Sequence, residues 1–147
     1  IPNLFKPTVN GVQKNFKRRI SVKKILDTPC IIFNIVRPYT KIINTPYGPD
    51  IKESVYKKPI RCTKTITINN KTLRLNAIVI HIGTVGSGHY VVYFKCNDNW
   101  FLYDDLNQMN RITRTRLIGT YENLIKSRKI YHTMVNVKTH GTIYYYI

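Results

Sequence analysis

From Pro29 onward the chain is built of apolar runs short enough for strands, separated by turn residues. Cys30 to Val36 (CIIFNIV) is rich in β-branched residues and reads as a buried strand ended by Arg37-Pro38. TITI and TLRL flank Asn69-Asn70 and predict a hairpin, because two asparagines tolerate the positive φ of a type I′ turn. Further strands are predicted over 75–82, 89–95 and 100–104, with a turn at Asn97-Asp98-Asn99. Residues 38–59 hold Pro38, Pro46, Pro49, Pro59 and Gly48, which predict a long loop with at most edge pairing. Leu117, Tyr121, Leu124 and Ile125 recur at helical spacing and predict a short amphipathic helix over about 114–127. Strands over roughly 130–137 and 142–147 close the chain. The expected class is α+β, a mostly antiparallel twisted sheet with one or two short helices. Residues 1–25 read as a basic extended arm, carrying Pro2, Pro7 and Gly11, and 26–147 as a β-rich domain.

Charge changes the picture. Lys and Arg outnumber Asp and Glu by 24 to 7 in 147 residues, a formal +17. Such a field favours polyanionic partners: nucleic acid, an anionic surface or an acidic protein. Lys14, Lys17, Arg18, Arg19, Lys23 and Lys24 crowd eleven positions and form the candidate polyanion contact. The alternative there is a solvated face flanking Phe16, Ile20 and Ile25. Abundant Ile, Asn and Tyr are compatible with an AT-rich genome, which leaves part of the charge to mutational drift. Cys30, Cys62 and Cys96 form no CxxC pair, so neither a zinc ribbon nor another metal or cofactor site is expected. Their odd number predicts a reducing, intracellular compartment, or a virus particle assembled in one. No apolar run approaches the roughly 20 residues that span a bilayer. A chain opening on Ile1 rather than Met predicts a processed product, a fragment or part of something longer.

Candidate chemistry lies between Leu73 and Asp105. An apolar run, Ala77 to Ile82, leads into a loop with Gly83, Gly86 and Gly88, and His89 opens the next strand. Trp100 to Tyr103 then runs back and ends in Asp104-Asp105. A neutral histidine needs a partner to fix its tautomer, and Asp104 is placed to supply one. Period-two alternation sends Asp105 to the other side. His81 reads as a core or edge residue, and His132 and His140 carry no assigned chemistry.

At these residues the chain resembles the ubiquitin-specific proteases, cysteine proteases of papain-like fold. Their histidine box reads roughly L-x-A-V-x-x-H-x-G, a short loop, G-H-Y-V-x-Y, a turn, then W-x-x-F-D-D. The matching residues are Leu75, Ala77, His81, Gly83, Gly88, His89, Tyr90, Val91, Tyr93, Trp100, Asp104 and Asp105, with Tyr103 in the phenylalanine position. Pro29 to Arg37 resembles the family's upstream strand, with Pro38 in place of phenylalanine, and GTIYYYI at 141–147 resembles its closing strand.

The resemblance implies the palm, or C-terminal, half of such a protease. His89 would be the general base and Asp104 its orienting partner. Gly83, Gly86, Gly88 and Tyr90 would line the channel for the substrate's C-terminal tail. Nothing in the sequence resembles the family's cysteine box, so the nucleophile and oxyanion donors are not supplied by a matching motif. The tail of ubiquitin is arginine-rich, and a body of +17 with only seven carboxylates would repel it.

Three readings follow. One is a nucleophile-lacking module acting as a basic structural or interaction protein in a larger assembly, such as a large DNA virus particle. The second is the His/Asp half of an active thiol protease whose cysteine lies elsewhere, with a ubiquitin-like partner only when that half is present. The third is a nucleic-acid-binding domain.

Overall fold

The computed structural model describes residues 8–9, 12–13, 29–106 and 114–147. In chain order the elements are β1 (Thr8–Val9), β2 (Val12–Gln13), β3 (Ile31–Asn34), β4 (Pro38–Thr45), β5 (Gly48–Val55), β6 (Thr65–Ile68), β7 (Lys71–Gly83), β8 (Gly88–Cys96) and β9 (Asn99–Tyr103). They continue as β10 (Thr115–Gly119), α1 (Tyr121–Leu124), β11 (Arg128–Ile130), β12 (Thr133–Val135), α2 (Val137–His140) and β13 (Gly141–Tyr146). The class is α+β, and the sheet is antiparallel throughout.

The main sheet runs β10-β9-β8-β7-β13-β3, with β6 also paired to β7. Asn69 (φ 49°) and Asn70 (φ 64°) make the β6–β7 turn, both in the left-handed region that a type I′ turn needs. Strand β7 is the spine. Leu73 and Leu75 face inward before Asn76, and Ile78, Ile80 and Ile82 after it. A bulge causes this change of phase: Tyr146 pairs with Leu75 and Tyr145 with Ala77, so Asn76 is the extra residue.

Register then fixes the two faces. One row, Phe33–Tyr144–Ile78–Tyr93–Leu102, points into the core, where α1, α2 and the β11–β12 hairpin contribute Leu124, Val137, Ile130 and Val135. The neighbouring row on the other face is Ile32–Tyr145–Ala77–Phe94–Phe101–Leu117, and the next is Asn34–Ile143–Val79–Val92–Tyr103–Thr115. Neither outer row holds a charged side chain, and Ile32 and Leu117 stand about 60% exposed (61% and 60%).

Four expectations are corrected. Residues 38–55 are not a loop: β4 and β5 pair over eight positions each, from Pro38↔Val55 to Thr45↔Gly48. The prolines are compatible because they sit at the strand start, in the turn and next to it, and Gly48 (φ 114°) completes the turn. The expected 114–127 helix is mostly strand. Thr115–Gly119 pairs with β9, Gly119 (φ 95°) breaks the chain direction, and Thr120 caps a helix of only four residues. Strand β3 is an edge strand with one side exposed rather than a buried one. Finally, 130–137 is not one strand, because Tyr131 (φ 52°) turns β11 back into β12.

Arg37, read from sequence only as a strand end, is 2% exposed. Its guanidinium donates to the carbonyls of Gly141 (2.7 Å), Lys138 (2.9 Å), Tyr56 (3.0 Å) and Lys58 (3.3 Å). The Arg37 carbonyl accepts from Tyr56 N–H at 2.7 Å. One residue thus fastens both legs of the β4–β5 hairpin to the sheet and α2.

Within the expected arm, β1 and β2 form a short antiparallel pair. Lys14, Lys17, Arg18, Arg19, Lys23 and Lys24 lie outside the described residues. No helix among the described residues is long and apolar enough to cross a membrane.

Candidate active site

His89 sits opposite Ile82 in the β7–β8 ladder and therefore faces the core side of the sheet with Val91 and Tyr93. Extending the β8–β9 register by one residue brings Asp104 onto the same face, diagonal to His89. The side chains meet: His89 Nε2 lies 2.7 Å from Asp104 Oδ1. An ionised carboxylate can only accept, so Nε2 carries the proton and Nδ1 keeps its lone pair.

Asp104 is 8% exposed and held by three donors. Besides His89, the backbone N–H of Leu106 donates to Oδ1 at 3.0 Å and the Tyr131 hydroxyl donates to Oδ2 at 2.7 Å. Burial by itself would raise the Asp104 pKa. The bonds from Tyr131, His89 and Leu106, with the attraction of His89, outweigh burial and hold the carboxyl below the usual carboxylate range. Burial and then the Asp104 carboxylate push the Tyr131 hydroxyl up to about 12, so it stays a donor.

Tyr131 is the residue that sequence reasoning missed. It lies in the β11–β12 turn with its ring edge-on to His89, centroids 5.8 Å apart. No periodicity flags a single tyrosine in a two-residue turn; only the pairing of β11 with β12 aims it. Asp105 also departs from expectation. Strand β9 stops at Tyr103, alternation stops with it, and the following turn leaves Asp105 Oδ1 3.8 Å from His89 Nε2.

The donor atoms of His89, Asp104 and Asp105 lie within 4.8 Å of one another, the spacing of a metal ligand set. Both Asp104 oxygens are already hydrogen-bonded, so the geometry fits an oriented base better than a cation cage.

The loop residues divide. Gly83 (φ 128°) pairs with Gly88, and a Cβ there would lie 2.6 Å from the Ser87 carbonyl oxygen. A Cβ on Gly88 would lie 2.2 Å from His81 Nε2. Gly86 has open space around it. Gly83 and Gly86, with Thr84 and Val85, face Glu53, Ser54, Val55 and Lys57 across a groove of about 320 Å³. Gly88 and Tyr90 are not in that lining. Tyr90 points to the opposite face from His89 and packs against His81, ring centroids 4.7 Å apart and planes tilted by 40°.

None of the three cysteines is a hydrogen-bond partner of His89 among the described residues. Cys62 is buried, and burial pushes its thiol up to about 11 against the opposing pull of Tyr121 and Lys138. Cys96 ends β8, seven residues from His89, roughly 23 Å along the strand. Cys30 is half-buried just before β3, at the far edge of the sheet.

The structure thus brings a histidine against a buried carboxylate at the mouth of a glycine-edged hairpin. The family model for ubiquitin carboxyl-terminal hydrolases matches residues 9–146. The chain belongs to that family. No curated protein matches it. Membership makes the chain a ubiquitin-specific-protease-like module of cysteine protease fold.

Proposed function

We propose that this module binds the C-terminal tail of a ubiquitin-type protein and presents His89 and Asp104 as the base half of a thiol hydrolase. The nucleophile would come from residues other than Cys30, Cys62 and Cys96. The carrying observation is the 2.7 Å His89–Asp104 bond, with Asp104 kept ionised by its donors. In that role His89 Nδ1 takes the thiol proton and returns it to the leaving amine, while Asp104 stabilises the imidazolium between the two transfers.

The test is titration calorimetry of the full chain against ubiquitin and against ubiquitin lacking its tail. Binding that disappears with the tail is expected; tail-independent binding, or none, overturns the reading.

The position of the three cysteines favours a second reading, a module used without chemistry as a basic interaction protein of a larger assembly, such as a virus particle. An electrophilic ubiquitin-tail probe, applied to the complex that contains this chain, separates the two. Covalent capture by a partner's thiol supports the hydrolase, and no capture by any member supports the non-catalytic module.

A further inference from the structure

A cavity of about 530 Å³ opens at the other end of the sheet from His89. Lys95 lines it, six residues along β8 from His89 and so roughly 20 Å away. It shares no residue with the groove beside Gly83 or with the cluster around His89. Leu75 and Trp100, each 2% exposed, give it an apolar floor. Three cations surround that floor: Lys64 before β6, Arg74 on β7 and Lys95 on β8. Pairing brings them to one level of the sheet. Arg74 sits opposite Thr65, and the Leu75 N–H donates to the Lys64 carbonyl at 2.9 Å. Lys95 follows Phe94, whose partner Ala77 is two residues on from Leu75.

Two carboxylates also line the cavity, and neither neutralises the cluster. Asp98 is the ion-pair partner of Lys95 at 3.8 Å, and its side chain stands fully in water. The Lys95 side chain is only 22% exposed, so a largely buried ammonium faces a distant, solvent-screened counter-charge. Glu122 is engaged by its own backbone N–H and then by the Thr120 hydroxyl, which hold its carboxyl below the usual range, with a smaller pull from Lys64. The Arg74 guanidinium has no hydrogen-bond or ion-pair partner among the described residues.

We infer that this cavity is a binding site for a small phosphorylated molecule: Lys64, Arg74 and Lys95 take the phosphate, and an uncharged body rests on Trp100 and Leu75. A phosphate monoester carries up to about two negative charges and three acceptor oxygens, one for each cation. The volume falls within the roughly 300–1,000 Å³ of small-molecule sites, which leaves room for a body beyond the phosphate. A polynucleotide backbone instead follows an open track of cations, with no need of an enclosed apolar floor. The site is separate from the proposed tail binding and stands or falls without it.

Trp100 is the only tryptophan of the chain, so its fluorescence reports on the cavity directly. The full chain is titrated with AMP, ribose 5-phosphate and pyrophosphate at about 0.15 M salt, where the general field of the protein is screened beyond roughly 8 Å. At least one of the three should change the emission saturably, and adenosine, which lacks the phosphate, should bind at least about tenfold more weakly than AMP. Lys95→Gln and Arg74→Gln should each weaken the phosphate probe by about tenfold or more, the loss of one charge-assisted bond. Lys41→Gln, the same change of charge on β4, should stay within about twofold of the parent. Circular dichroism verifies that each variant folds, and Arg74 is exposed, so its replacement leaves the core untouched. No saturable response to any of the three probes, or equal weakening by Lys41→Gln, overturns the site. A duplex oligonucleotide that displaces the probe and binds parent and variants equally reveals only general polyanion attraction, and overturns it as well.

Discussion

Tyr131 and His89 grip opposite oxygens of one carboxylate: the phenol bonds Asp104 Oδ2 and the imidazole bonds Oδ1, each at 2.7 Å, with the two rings edge-to-face. The residue that orients the base is thus itself oriented from a different hairpin. Removing the phenol oxygen, as in Tyr131→Phe, should raise the Asp104 pKa toward its ordinary value. It should cost about 1.5–3 kcal/mol of stability, the range for a hydrogen bond to a charged group. Carboxyl-detected NMR titration and urea unfolding would check the two effects, and an unchanged Asp104 titration would contradict the grip.

Acid should weaken the fold in two windows. His140 is held below 6.5 by burial first, with Lys57 and Arg37 adding to it, against a raising hydrogen bond with the Asn136 backbone. A depressed folded pKa means that the unfolded chain binds the proton more readily, so this contribution is full above 6.5 and is lost as pH falls through the lower folded value. Asp104 is likewise depressed from 3.8, so its contribution is full above 3.8 and is lost below it. Urea midpoints across pH 8 to 3 should fall in both ranges, and His140→Asn should flatten only the upper one.

Arg37 should be among the costliest positions to change. Arg37→Met would leave four carbonyls without their donor, and a loss of roughly 3 kcal/mol or more is expected. Denaturant unfolding reads the total. Hydrogen exchange at the Tyr56 amide, which bonds the Arg37 carbonyl, reads whether the hairpin base loosens.

Two glycines of one loop should respond differently. Gly88→Ala puts a methyl 2.2 Å from His81 Nε2 and 2.8 Å from the Ile82 carbonyl oxygen, and the backbone oxygen cannot move aside cheaply. About 1–3 kcal/mol of destabilisation is expected there. Gly86→Ala meets nothing within 4 Å and should unfold within about 0.5 kcal/mol of the parent. Equal effects in parallel melts would contradict the loop geometry.

What could be read from the chain was what local chemistry decides. Asn69-Asn70 announced its own turn, and His89 and Asp104 fell on one face because period and register are simple there. The misreadings share a cause: tertiary pairing overrode a local cue. Thr115–Gly119 has a helical-looking Leu117 but is held extended by β9, and the prolines of 38–55 sit where a ladder tolerates them. The roles of Tyr131 and Arg37 depend on contacts across 27 and 104 residues of chain, and no window of sequence contains both ends.

The two uncharged rows on the outer face of the sheet make the particle two-sided. Among the described residues, the two rows that cross all six strands, from Ile32 to Leu117 and from Asn34 to Thr115, carry no charged side chain. In dilute buffer, mutual repulsion keeps such bodies apart whichever side they present. At about 1 M salt, where the screening length falls to roughly 3 Å, that repulsion vanishes while the attraction between exposed apolar side chains remains. Ionic strength, which ordinarily frees a basic protein from its contacts, would here draw copies of the chain together through Ile32, Leu117 and the apolar residues between them.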